Sequence, residues 1–288
     1  MNLFEMYMDY VKKELIFYKL GYTIKDNDTD IKIITKLFNA KQRFISPKKY
    51  FVRESQEFKK TLESLETKYQ EAYDEVKLAF ISALELQPYL STKIKKTDFF
   101  DKLLLDWNIH HLHLSKKDTN TCWVERSDYL LLFMIEEETI HIIDISEHSK
   151  ENVFEQQKYL EIIHNNWSHY LSPYRVKREI SEYQDLTDND IKISRKANIN
   201  VPFIINNELY MSLGDSISGV GTNVTHQIEA MQIKKYLEKM GKYCTLNEKK
   251  ICAKIYQKTG IQLKKLTLDL CYDNKGIRVI EIKSNCLI

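Results

Sequence analysis

Glycine and proline are scarce in this chain, seven and four among 288 residues. So few leave little room for flexible linkers of the Gly- or Pro-rich kind. No apolar run approaches the roughly 20 residues that cross a bilayer. The stretch Met1-Asn-Leu-Phe-Glu-Met-Tyr7 lacks the basic start and apolar core of a signal peptide. A cytoplasmic protein with no membrane partner is expected. Cysteine is odd in number (Cys122, Cys244, Cys252, Cys271, Cys286) and forms no CxxC pair, which points to free thiols in a reducing compartment. Internal repeats and low-complexity tracts are absent as well. With a net charge of +2 the whole chain is not an obvious polyanion binder, so local charge must carry any nucleic-acid argument.

What is present is an ordinary globular composition, 43% hydrophobic and 29% charged, in a chain long enough for two or three modules. Residues 1–96 read as a helical N-terminal region. Apolar residues recur at helical spacing from Leu3 to Leu20, and Asp28-Thr29-Asp30 can cap a short helix through Phe38. A long charged helix is expected from about Glu54 to Leu86, with an apolar stripe at Phe58, Leu62, Leu65, Tyr69, Tyr73, Val76, Phe80 and Leu84. That stripe either packs within the chain or forms a partner surface. Residues 97–172 read as an α+β module: a short helix from Phe99 to Trp107 capped by Thr97 or Asp98, three strands of a small antiparallel sheet, then a helix over 151–170. Residues 173–197, polar and charged, are the linker candidate. Residues 198–288 read as a hairpin–helix–hairpin module, with turns at Asn206-Asn207 and at Asp273 to Gly276.

Five of the eight histidines fall between His110 and His148, within the middle sheet. Strand alternation puts His111 and His113 on one face and His110, Leu112 and Leu114 on the other. The leucines mark the core face. His148 follows the third strand, Arg126 precedes the central one, and Lys116 and Lys117 occupy the first turn. Cleaving RNA requires a group to take the 2′-hydroxyl proton, another to protonate the leaving oxygen, and positive charge on the phosphate. Imidazoles suit the first two tasks, Arg and Lys the third. Surface histidines on a polar sheet face are the plain structural alternative.

A helix, then Ile109 to Ser115, a basic turn, and Val124 to Asp144 as a β-hairpin ending near His148 resembles the sheet core of the RelE/ParE-type bacterial toxin superfamily, over about fifty residues. The resemblance implies a curled antiparallel sheet and a ribonuclease or toxin activity. It implies Arg126 on phosphate, His148 as general acid or base, and Lys116 or Lys117 on the RNA backbone. His111 and His113 join the candidate catalytic set from alternation alone. Family members end soon after this strand, whereas this chain continues for about 140 residues, enough to obstruct the decoding site and argue against ribosome-dependent cleavage.

The expectation is an α+β endoribonuclease working without cofactor or metal, a toxin of phage defence or of a toxin–antitoxin pair. RNA would be the substrate, and an antitoxin or phage-derived protein the possible partner. The competing reading is a non-catalytic protein that recognises a protein or nucleic acid through the sheet and the long helix. Two further alternatives carry less. His111-Leu112-His113 with Asp128, Asp144 or His148 could hold a metal ion. The turn from Gly214 to Thr222 could cradle phosphate, though it has no Walker lysine and follows no parallel strand. His164, Trp167 and His169 read as packing and helix-end residues.

Overall fold

A computed structural model describes residues 2–18, 25, 27–97, 99–115, 124, 127–177, 183, 186–214, 216–219, 221–273 and 276–288. The protein is α+β, with three small sheets. It divides into two compact units: residues 39–225, and the segments 1–38 and 226–288 together.

The chain opens with α1 (Leu3–Phe17), N-capped by Asn2, and α2 (Asp30–Arg43). Then β1 (Phe51–Glu54) leads into α3 (Gln56–Ser64) and α4 (Thr67–Ile81). The expected single helix is therefore two, because Leu65 is extended. Unbroken, it would run on the order of 50 Å, well beyond a sheet whose longest strand has nine residues. Breaking it lets both halves cover the same sheet. The stripe of Tyr69, Tyr73, Val76 and Phe80 is buried against that sheet rather than offered to a partner.

After α5 (Lys102–Trp107), β2 (His110–His113), β3 (Tyr129–Glu136) and β4 (Thr139–Glu147) complete a four-stranded sheet of order β1-β4-β3-β2. The expected sheet was antiparallel throughout. Three strands are, but β1 adds in parallel to the outer side of β4. Its fit is secured by Ser55, which caps α3 through Phe58 N (2.9 Å) while its hydroxyl donates to Ile143 O (2.6 Å). Ile143 occupies the β4 bulge, where Leu132 pairs with Asp144 but Phe133 pairs with Ile142.

One face of this sheet (Leu112, Leu131, Phe133, Ile140, Ile142, Ile145) packs on α3 and α4. The other (Leu132, Met134, Ile143) packs on α5, α6 (Lys158–Leu171), α7 (Asp188–Lys196) and the hairpin of β6 (Phe203–Ile205) and β7 (Glu208–Tyr210). Short β5 (Arg175–Val176) extends that hairpin on the β7 side. Both central strands are covered on both faces, which explains the unbroken apolar run in β3.

Three expected boundaries do not separate structural units. Residues 51–81 belong to the same unit as the middle sheet, so 96/97 is no division. Within the expected linker 173–197, α7 starts on a Thr187/Asp190 capping box and buries Ile191 and Arg195. Arg195 pairs with buried Asp106 (2.8 Å) and lies over Trp107 (4.1 Å). Polar composition concealed this anchoring. The 203–210 hairpin likewise joins the core of the middle unit rather than the C-terminal segment.

The remaining elements are α8 (Val224–Leu246), α9 (Glu248–Thr259) and the antiparallel β8 (Leu268–Asp273), β9 (Gly276–Glu281) and β10 (Cys286–Leu287). From Ala230 on, α8 buries Leu237, Gly241 and Cys244 at helical spacing, and Tyr10 of α1 stacks on Tyr272 of β8 at 4.2 Å. Among the described residues no helix is long and apolar enough to cross a membrane. Cys244, Cys252, Cys271 and Cys286 are free.

Candidate functional site

The register of the middle sheet decides which histidines meet. His111 pairs with Leu132 and so with Asp144; His113 pairs with Leu130 and so with Ser146. By alternation Asp144, Ser146 and His148 share the face of His111 and His113. The His148 amide donates to Asp128 O (2.6 Å), which holds the residue at the β4 exit beside the start of β3. The His113 and His148 rings reach over the intervening strand and stack at 5.5 Å with planes 21° apart. Phe154 packs on His111 (5.2 Å) and edge-on to His148 (6.4 Å).

These three imidazoles line a pocket of about 490 Å³, walled by Leu90 to Lys93, Phe99 to Leu103, Val124, Phe154 and Glu155. Asp101 is its best-placed acid. One carboxylate oxygen N-caps α5, accepting from Leu103 N (3.1 Å) and Leu104 N (3.2 Å). The other faces His111 Nδ1 at 3.4 Å, ion-pair range without hydrogen-bond alignment. The cap thus falls at Asp101, not at Thr97 or Asp98, and the helix starts three residues later than expected. Asp98 lies outside the described residues. Half-buried Glu155 faces the same pocket, and burial pushes its carboxyl up.

Among the described residues the pocket cations are Lys93, exposed above the Phe99 ring (5.9 Å), and Lys102. Lys102 is already engaged, donating to Arg195 O and to Asn198 Oδ1 (3.1 Å). The expected phosphate-binding residues Arg126, Lys116 and Lys117 lie outside the described residues.

His110 and His141 stand apart from the pocket. His110 is buried on the opposite face, stacked on Phe133 at 5.4 Å, and burial pushes its pKa down to about 4. His141 is buried at the far end of β4, its Nε2 3.1 Å from Glu136 Oε2 and its ring edge-on to Trp167. His169 reaches the same carboxylate at 3.8 Å. His164 lies on α6, 3.3 Å from Asn206.

The weaker alternatives meet physical obstacles. Asp144 is committed to Lys158 (2.7 Å) and Thr61 (3.0 Å), and Asp128 accepts from Tyr69 (3.2 Å). Among the described residues no group of three or more His, Cys, Asp or Glu is placed to share a metal ion. In the loop from Gly214 to Thr222, the amides of Ile217, Ser218, Gly221 and Thr222 all donate within unit 39–225, to Asn200, Thr222 or Ser218. A phosphate cradle needs free amides. Gly214 is required because a Cβ there would sit 2.1 Å from Leu105 O.

Asp101, Phe154 and Glu155 escaped the sequence reading. An Asp directly before Lys102-Leu-Leu-Leu is a recognisable N-cap signal, but nothing local says that its second oxygen will meet His111. No protein family, curated protein or solved structure matches this chain.

Proposed function

We propose that the pocket cleaves RNA by metal-independent acid–base transfer, as the effector of a phage-defence or toxin–antitoxin system. The carrying observation is the convergence of His111, His113 and His148 on one open cavity that also holds Asp101. Its volume of about 490 Å³ falls in the usual range for a small-ligand site.

In this reading His111, oriented by Asp101, removes the proton from a 2′-hydroxyl. The 2′-oxygen attacks phosphorus and the bond from phosphorus to the 5′-oxygen breaks. His148, stacked on His113, gives its proton to that leaving oxygen. The products are a 2′,3′-cyclic phosphate and a 5′-hydroxyl, so protons and charges balance. Lys93, with Arg126, Lys116 and Lys117, supplies positive charge for the phosphorane. Phe99 and Phe154 offer aromatic surface on which a base can stack.

The test is cleavage of single-stranded RNA by purified protein in the presence of EDTA, with His111→Ala, His113→Ala and His148→Ala compared. Loss of cleavage in the variants and a cyclic-phosphate product are expected. RNA left intact by the parent protein, with toxicity in cells unaffected by the same substitutions, overturns the reading. A stoichiometric protein partner recovered alongside that result would establish the non-catalytic binder instead.

A further inference from the structure

The whole-chain charge of +2 conceals two compact units of opposite sign. Residues 39–225 carry 24 Lys and Arg against 29 Asp and Glu, a net −5. Segments 1–38 and 226–288 carry 19 against 12, a net +7. The unit with the histidine pocket therefore repels a polyanion at long range, while the other attracts it.

The positive charge is ordered by helix geometry. The α8 residues Leu237, Gly241 and Cys244 are buried, and Lys235, Lys239 and Lys242 stand exposed on the reverse side at spacings of four and three. At a rise of 1.5 Å per residue these lysines follow one another along the axis at roughly 4.5–6 Å. On α9, Lys250, Lys254 and Lys258 form a second exposed row beside buried Ile251 and Ile255. Among the described residues these six have no acidic partner, unlike Lys234, which meets Asp30 at 3.2 Å. Exposed tyrosines accompany the rows: Tyr236, Tyr243 and Tyr256, each 40–54% accessible.

We infer that this basic unit is an RNA-docking module that binds the backbone of single-stranded RNA through the α8 and α9 lysines, with the tyrosines as stacking platforms. Only the choice of RNA rests on the nuclease reading. Rows of cations with interspersed aromatic rings are what sequence-tolerant binding to single strands requires. An anionic membrane is the less fitting polyanion. A helix that lies in a bilayer interface keeps an apolar face apart from its charges, whereas the exposed apolar residues of α8 (Ile228, Met231 and Leu246) share the outward side with Lys235, Lys239 and Lys242.

The experiment uses the full chain carrying His148→Ala, so that RNA is not consumed, and a short fluorescein-labelled single-stranded RNA read by anisotropy across a salt series. The triple variant Lys235→Glu/Lys239→Glu/Lys242→Glu is expected to bind about tenfold or more weakly. Its slope of log K against log salt should fall by about 2, at roughly 0.7 for each phosphate no longer neutralised. The Lys→Gln triple should weaken in the same direction, and circular dichroism should be unchanged in both because the side chains are exposed. An unchanged affinity and salt slope overturns the inference. So does lysine-dependent binding to phosphatidylserine vesicles with none to RNA. Lysine-dependent RNA binding without any cleavage by the parent protein would leave this module standing and remove only the nuclease reading.

Discussion

On one face of β2, His110 lies flat on Phe133 and is buried; on the other, His111 and His113 open onto a pocket with His148 and Asp101. His110 and His111 are neighbours in sequence and chemically identical, so the contrast is purely environmental. Burial holds His110 neutral, its pKa near 4. The pocket face keeps a carboxylate within ion-pair range of His111 and a second imidazole against His113. An imidazole becomes a packing group where its charged form cannot be solvated, and a proton carrier where partners and solvent remain in reach.

The comparison breaks most decisively at the pocket. His148→Ala and His113→Ala should each lower RNA cleavage by about 10²–10⁴-fold, measured as initial rates, while unfolding midpoints stay close to the parent. A comparable loss from His110→Phe with unchanged stability would erase the distinction between the faces. Truncation on the packed face is the mirror experiment. Phe133 is fully buried under His110 and Phe80, so Phe133→Ala should cost about 3–5 kcal/mol in urea unfolding.

A pH series sharpens the same contrast. His110 takes up its proton near 4 when folded but near 6.5 when unfolded. The unfolded chain therefore binds more protons between those values. Its contribution is complete above about pH 6.5 and is lost as pH falls toward 4, by roughly 3 kcal/mol in total. His110→Phe should flatten that part of the stability curve relative to the parent; an identical curve refutes the assignment. The smallest effect is at Asp101. Asp101→Asn keeps an N-cap acceptor and removes the charge facing His111, so cleavage should fall roughly tenfold with thermal stability nearly unchanged. Asp101→Ala should lose about 1 kcal/mol of stability as well.

Much of this was legible in the residues. The alternation His110 to Leu114 assigned the two faces of β2 correctly, because a period of two leaves one choice once Leu112 and Leu114 claim the core. The Asn206-Asn207 turn was equally plain, since both residues adopt positive φ (49° and 65°), as such hairpin turns demand. The break at Leu65 and the anchoring of α7 were not. Each depends on partners far along the chain: the sheet that α3 and α4 cover, and the Asp106 that receives Arg195. The helix expected over 151–170 starts only at Lys158, and residues 151–155 turn so that the Phe154 ring reaches His111 and His148.

By itself the amino-acid order determined the mixed α+β character, the strand faces and the short list of imidazoles that line one pocket, because periodicity and side-chain chemistry are local properties. Only the folded molecule decided that β1 joins in parallel, that His148 arrives over His113, that Asp101 turns its spare oxygen to His111, and which lysines share one unit. Those are distances between residues remote in the chain, set by register and packing, and no local pattern encodes them.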